Sequence, residues 1–154
     1  MKLLAAAALI ALLAARPAAA LDGPESLVQA LYAPDAMPDT AEEGRRFLSA
    51  DNARAYARQL GSKEVEPATG FDWRCDCQDG QMSELVIGKG QMGSAGGATL
   101  ATVKVDFKLE GEPRSLTYEL CLARQGWRIA DLRPSTGAWS LRDLLGLKGR
   151  RLRC

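Results

Sequence analysis

Two long runs of alternating residues constrain this chain more than any other feature. Ala101, Val103, Val105, Phe107 and Leu109 alternate with Thr102, Lys104, Asp106 and Lys108. After Gly111-Glu112-Pro113 the alternation resumes at Leu116, Tyr118, Leu120 and Leu122. Successive side chains of a strand point to opposite faces, so the pattern predicts antiparallel strands with one dry face and one wet face. Gln125-Gly126 makes a tight turn into a further strand from Trp127 to Leu132. Upstream, the same period runs through Phe71, Trp73, Cys75 and Cys77 to the turn signal Asp79-Gly80. Leu85 to Ile87 reads as a short strand weakened by Gly88, Gly90 and Gly93, and the Gly-rich stretch 88–97 as a flexible or bulged hairpin.

Before residue 61 the period is helical. Leu27, Val28, Leu31 and Tyr32 lie on one face of a helix opened by Pro24-Glu25-Ser26 and stopped by Pro34. Thr40 is an N-cap residue with Glu42 and Glu43 in the first turn, where the helix dipole favours acids; Phe47 and Leu48 give that helix its apolar side. Ser49 or Asp51 caps a third helix carrying Ala53, Tyr56, Ala57 and Leu60, with Gly61 as its stop. A short final helix is expected over Ser140 to Leu147. Helices followed by consecutive short-turned strands predict the α+β class: N-terminal helices packed on a curved antiparallel sheet of about five strands, with a short C-terminal helix. A sheet that curls around its helices makes a cone with a pocket at the open end.

The ends of the chain differ from its body. Met1-Lys2, the uncharged run Leu3 to Ala15, the break at Arg16-Pro17 and Ala18-Ala19-Ala20 have the layout of a cleaved signal peptide over residues 1–20. The run is shorter than the roughly 20 apolar residues of a membrane span. A single domain is then expected over 21–147, in a periplasmic or secreted protein without a membrane span after cleavage. The tail, 148–154, holds Lys148, Arg150, Arg151 and Arg153 and no acid. Between leader and tail lie 14 basic and 19 acidic residues, an acidic balance that argues against nucleic acid as a partner.

Four cysteines, Cys75, Cys77, Cys121 and Cys154, suit disulfides in an exported chain. If Cys75 and Cys77 both lie in a strand, a bond between them is the least favoured of the three pairings, because Cβ atoms two residues apart stand about 6–7 Å from each other. The other two pairings send one of them to Cys121 and the other to Cys154. Cys121 has the parity opposite to Leu120, so it faces away from Cys75 and Cys77 unless a bulge intervenes. The C-x-C spacing does not match the usual zinc-ligand spacing, and no metal is expected.

The order of elements resembles the nuclear-transport-factor-2-like superfamily, whose cone-shaped domain serves both enzymes and non-catalytic binding modules. A closer resemblance is to exported bacterial proteins of a domain-of-unknown-function family, number 3828. It rests on Phe47-Leu48-Ser49, Asp72 to Asp79, Gly126-Trp127-Arg128-Ile129-Ala130-Asp131, and Ser140-Leu141 with Leu144-Leu145. The resemblance implies the cone and brings no activity with it.

The chain contains no His, so Ser-His-Asp and Cys-His catalysis and His-ligated metal sites cannot be built from it alone. An acidic base inside the cone, as the superfamily's enzymes use, would come from Asp72, Asp76, Asp79 or Asp106, with Tyr118 as a hydrogen-bond donor; desolvation raises the pKa of such an acid. Asp72 and Asp76 share parity with Arg74 and Gln78, which instead suggests a wet, ion-paired face. Trp73 and Trp127 read as core, and Trp139 as a seal near the final helix. No P-loop or Rossmann fingerprint is present, and no cofactor is expected. The functional expectation is a non-catalytic module binding a small apolar ligand or an extracytoplasmic protein. Alternatives are a structural or inhibitory envelope partner and a carboxylate-base isomerase or dehydratase.

Overall fold

The computed structural model describes residues 23–34, 36, 38–64 and 66–154 of the chain. The expected signal peptide lies outside them. The fold is α+β: three helices, an open five-stranded antiparallel sheet, and a short last helix.

The helices form where their caps and apolar spacing place them. Helix α1 (Pro24–Leu31) starts with Pro in its first turn and buries Leu27, Val28 and Leu31. Helix α2 (Ala41–Phe47) is capped by Thr40, whose Oγ1 accepts the Glu43 N–H at 3.1 Å. Helix α3 (Ala50–Leu60) follows after only two residues, Leu48 and Ser49, and ends at Gly61. Those two residues lie alongside the sheet, where Leu48 bridges to Ile129 and the Ser49 N–H donates to the Ile129 carbonyl at 2.9 Å.

The sheet is built on strand β3 (Ala98–Leu109), followed by β4 (Glu112–Ala123) and β5 (Gly126–Pro134). Successive strands pair as a meander, with Val103 opposite Tyr118 and Tyr118 opposite Leu132. Alternate residues Ala101, Val103, Val105 and Phe107 of β3, and Leu116, Tyr118 and Leu120 of β4, are buried, as the sequence period requires. Register shifts at Glu119/Leu120, where Ala130 is the extra residue of β5. The buried Asn52 amide of α3 donates to both nearby carbonyls, Ile129 at 3.3 Å and Ala130 at 2.9 Å, so the bulge and the helix satisfy each other.

The opposite edge of β3 is shared by two pieces in line. Strand β1 (Met82–Ile87) pairs with the stretch from Val105 to Leu109, and β2 (Gln91–Ala95) with Ala98 to Thr102. The break between them depends on glycine. A Cβ on Gly88 would stand 3.0 Å from the Lys104 carbonyl oxygen, to which the Gly88 N–H donates at 2.8 Å, and one on Gly90 would stand 2.7 Å from Pro24. That close approach lets the Glu25 carboxylate accept the Gly90 N–H at 2.5 Å, an interaction that holds the Glu25 carboxyl below its ordinary pKa. The hairpin expected over 88–97 is formed by β2 and the start of β3, with its tight turn at Gly96-Gly97, and residues 88–90 are the break that separates β2 from β1 along the edge.

Residues 71–78 correct a sequence expectation. They are not a strand but a compact turn closed by an isolated bridge between Asp72 and Cys77. Asp76 takes the left-handed conformation, φ 55°, which reverses the chain and brings Cys75 and Cys77 to a Cα separation of 5.2 Å. The disulfides are accordingly Cys75–Cys77 and Cys121–Cys154, not the crossed pairings expected of a straight strand. The alternation expected through Leu122 stops at Leu120: Cys121 is fully buried and Leu122 is exposed, and Cys121 meets the tail through its bond to Cys154.

The last helix, α4 (Leu141–Leu144), is shorter than expected and is capped by Ser140. Buried Asp131 anchors it by accepting the N–H groups of Leu132 at 2.9 Å and Arg142 at 3.0 Å. The Arg142 guanidinium then reaches the Asn52 side chain and the carbonyls of Leu147 and Arg150, fixing the start of the tail. Among the described residues no helix is long and apolar enough to cross a membrane.

Candidate functional site

The chemistry-bearing residues fall into two regions of opposite character. The first is a largely buried polar cluster between α1, β4 and the 71–78 turn. Tyr118 projects from the buried face of β4 and has no solvent exposure. Its hydroxyl lies 2.8 Å from that of Tyr32, which donates at 2.7 Å to the Arg74 carbonyl, so Tyr118 donates to Tyr32. The two rings meet edge to face with centroids 6.3 Å apart. Burial, reinforced by the neighbouring Tyr32, pushes the Tyr118 pKa well above that of a free phenol; burial likewise raises that of Tyr32, against the hydrogen bond it receives from Tyr118.

Arg74 closes this cluster. Its guanidinium takes both oxygens of Asp72, through Nε at 2.9 and 3.1 Å and through Nη2 at 2.7 Å. Nη1 donates to the carbonyls of Ala36 and Leu31. The Asp72 carboxylate also accepts the Arg74 N–H. The structure thus brings together two of the candidate site residues, Asp72 and Tyr118, but with the acid engaged by Arg74 and the phenol by Tyr32. Asp76 lies elsewhere in the turn, where Oδ1 accepts the Trp139 indole N–H at 2.7 Å and Phe71 packs edge to face on Trp139. Asp106 pairs with Lys104 on the wet face, and its pKa is lowered by that bond and by Ser115. Asp79 sits exposed in the turn before Gly80.

The second region is an open groove of about 430 Å³ between α2–α3 and the β4–β5 turn. Ala50, Ala53 and Ala57, at helical spacing along α3, form its floor with Leu48 and Ala123. Small side chains on a helix facing a two-residue turn leave a trough where longer ones would fill it. Four arginines stand around the trough: Arg45, Arg54, Arg124 and Arg128. Arg54 pairs with Asp51. Arg45 and Arg124 make no ion pair among the described residues. Arg128 donates to the backbone carbonyls of Trp127 at 2.7 Å and Gln125 at 3.3 Å, without a carboxylate, and burial lowers its pKa. Cys154, bonded to Cys121, also lines the groove.

An apolar trough with three cations that make no ion pair among the described residues favours an anion carrying an apolar body. Sequence reading missed it. Its arginines lie up to 83 positions apart, at 45 and 128, and the only local signal was the alanine stripe of α3 beside Arg54. Among the described residues no cluster of three or more His, Cys, Asp or Glu side chains is placed to hold a metal ion. No family model, curated protein or solved structure matches this chain.

Proposed function

We propose that this protein is a non-catalytic, extracytoplasmic binding module whose groove takes an alkyl chain ending in a carboxylate. The observation that carries the reading is the placement of Arg45, Arg124 and Arg128, which make no ion pair among the described residues, around the alanine floor of α3. Two disulfides fit an oxidising compartment, and with the signal-like leader they support periplasmic or secreted residence. A sheet curved over its helices, as in the nuclear-transport-factor-2-like cone, is consistent with this site. The face of β3 and β4 that would line such a cone is filled by Val103, Val105, Phe107 and Tyr118, so the ligand lies at the rim of the helices instead.

Calorimetric titration with dodecanoate tests the proposal. Saturable binding is expected, weakened at least about tenfold in R45A/R124A and as ionic strength rises. Dodecyltrimethylammonium, with the same chain and the opposite charge, is expected not to bind. Equal affinity for both amphiphiles, or no heat with dodecanoate, overturns it.

A further inference from the structure

The two disulfides differ in what they close. Cys121–Cys154 spans 33 positions and fastens the tail to β4, whereas Cys75–Cys77 spans two and encloses only Asp76. A crosslink stabilises a fold chiefly by restricting the unfolded chain, and a loop of one residue leaves almost nothing to restrict. The short bridge therefore has little structural work to do.

The turn that carries it is held by other bonds. The Asp72 N–H donates to the Cys77 carbonyl at 2.7 Å, the Cys75 and Cys77 N–H groups donate to the Asp72 carbonyl at 3.2 and 3.3 Å, and Asp76 is tied to Trp139. None of these needs the sulfur–sulfur bond, so both sulfurs stay in register when it opens. The dithiol form is also provided for: the Asp72 carbonyl oxygen lies 3.4 Å from Cys75 Sγ, placed to accept a thiol proton. The two sulfurs are unequal in access, Cys75 being buried and Cys77 half-buried.

We propose that Cys75–Cys77 is a reversible thiol–disulfide exchange site for a dithiol reductant, small or protein-borne, while Cys121–Cys154 is the permanent bridge. A thiolate of the reductant attacks Cys77 Sγ. The electron pair of the broken bond leaves on Cys75 Sγ, which takes up a proton. The reductant's second thiol then attacks the mixed disulfide and releases Cys77 as a thiol. Two electrons and two protons pass to the protein, and the reductant is left as its own disulfide.

The test is equilibration of the folded chain in graded dithiothreitol and oxidised dithiothreitol, followed by quenching with N-ethylmaleimide, intact mass and peptide mapping. A species carrying two labels, on Cys75 and Cys77, is expected at a reduced-to-oxidised ratio at least roughly tenfold lower than that opening Cys121–Cys154. Circular dichroism is expected to stay unchanged across that first step, and Trp139 fluorescence to respond, the response being lost in W139F. Joint opening of both pairs, prior opening of Cys121–Cys154, or loss of the first pair only with unfolding overturns the proposal.

Discussion

Arginine plays two different parts in this molecule. In the tyrosine cluster, Arg74 is 8% exposed and its guanidinium meets a carboxylate and two carbonyls. Around the groove, Arg45 and Arg124 stand in solvent and make no ion pair among the described residues, and the half-buried Arg128 donates to backbone carbonyls. A fully answered cation braces three segments of chain. A cation at solvent-exposed apolar surface is instead answered by water and counterions, and an anionic ligand with an apolar body can displace them. The contrast separates a structural brace from the binding groove proposed above, although both combine the same residue type with apolar neighbours.

Breaking the brace is expected to have the largest effect. Arg74→Ala leaves Asp72 unpaired and the carbonyls of Ala36 and Leu31 without their donor, and is expected to cost about 3–5 kcal/mol in urea unfolding. A cost below 1 kcal/mol would remove the distinction between the two regions. Loss of the long bridge comes next. C121S/C154S is expected to cost about 2–4 kcal/mol, and C75S/C77S much less, in the same unfolding experiment. The double substitution at 121 and 154 also releases Cys154 from the groove lining, so dodecanoate affinity is expected to fall with it.

Smaller effects sharpen the comparison. Tyr118→Phe removes one buried donor and leaves the Tyr32 hydroxyl its bond to Arg74, for an expected loss of about 1–2 kcal/mol. The raised pKa values of Tyr32 and Tyr118 set the sign of an alkaline transition. Their neutral forms are favoured in the folded state, so the stability they contribute is complete below the ordinary phenol value. It is lost as pH rises above about 10, where the unfolded chain ionises first. Y118F is expected to flatten that loss in pH-dependent thermal melts. Arg124→Ala, at the smallest end, is expected to change stability by less than about 0.5 kcal/mol while weakening ligand binding.

The parts legible in the sequence are those governed by neighbours along the chain. The caps at Thr40 and Ser140, the buried parity of Ala101 to Phe107, and the turns at Gly111 and Gly126 all follow from local rules. The 71–78 segment defeated the same rules. Its alternation is real, but the left-handed Asp76 folds it back on itself, and Asp is one of the few residues other than Gly that takes that conformation readily. The cysteine pairing was misread for the same reason. The groove was invisible because Arg45 and Arg124 become neighbours only when the β4–β5 turn is laid against α2 and α3.

The central claim is that ligand binding belongs to the arginine-edged groove and not to the tyrosine cluster. Backbone amide chemical shifts recorded during a dodecanoate titration test it most directly. The account predicts dose-dependent shifts at Ala50, Ala53, Ala57 and Ala123 to Arg128, with Tyr32, Arg74 and Tyr118 unmoved. Shifts centred on Tyr32 and Tyr118, with the alanine stripe silent, would contradict it.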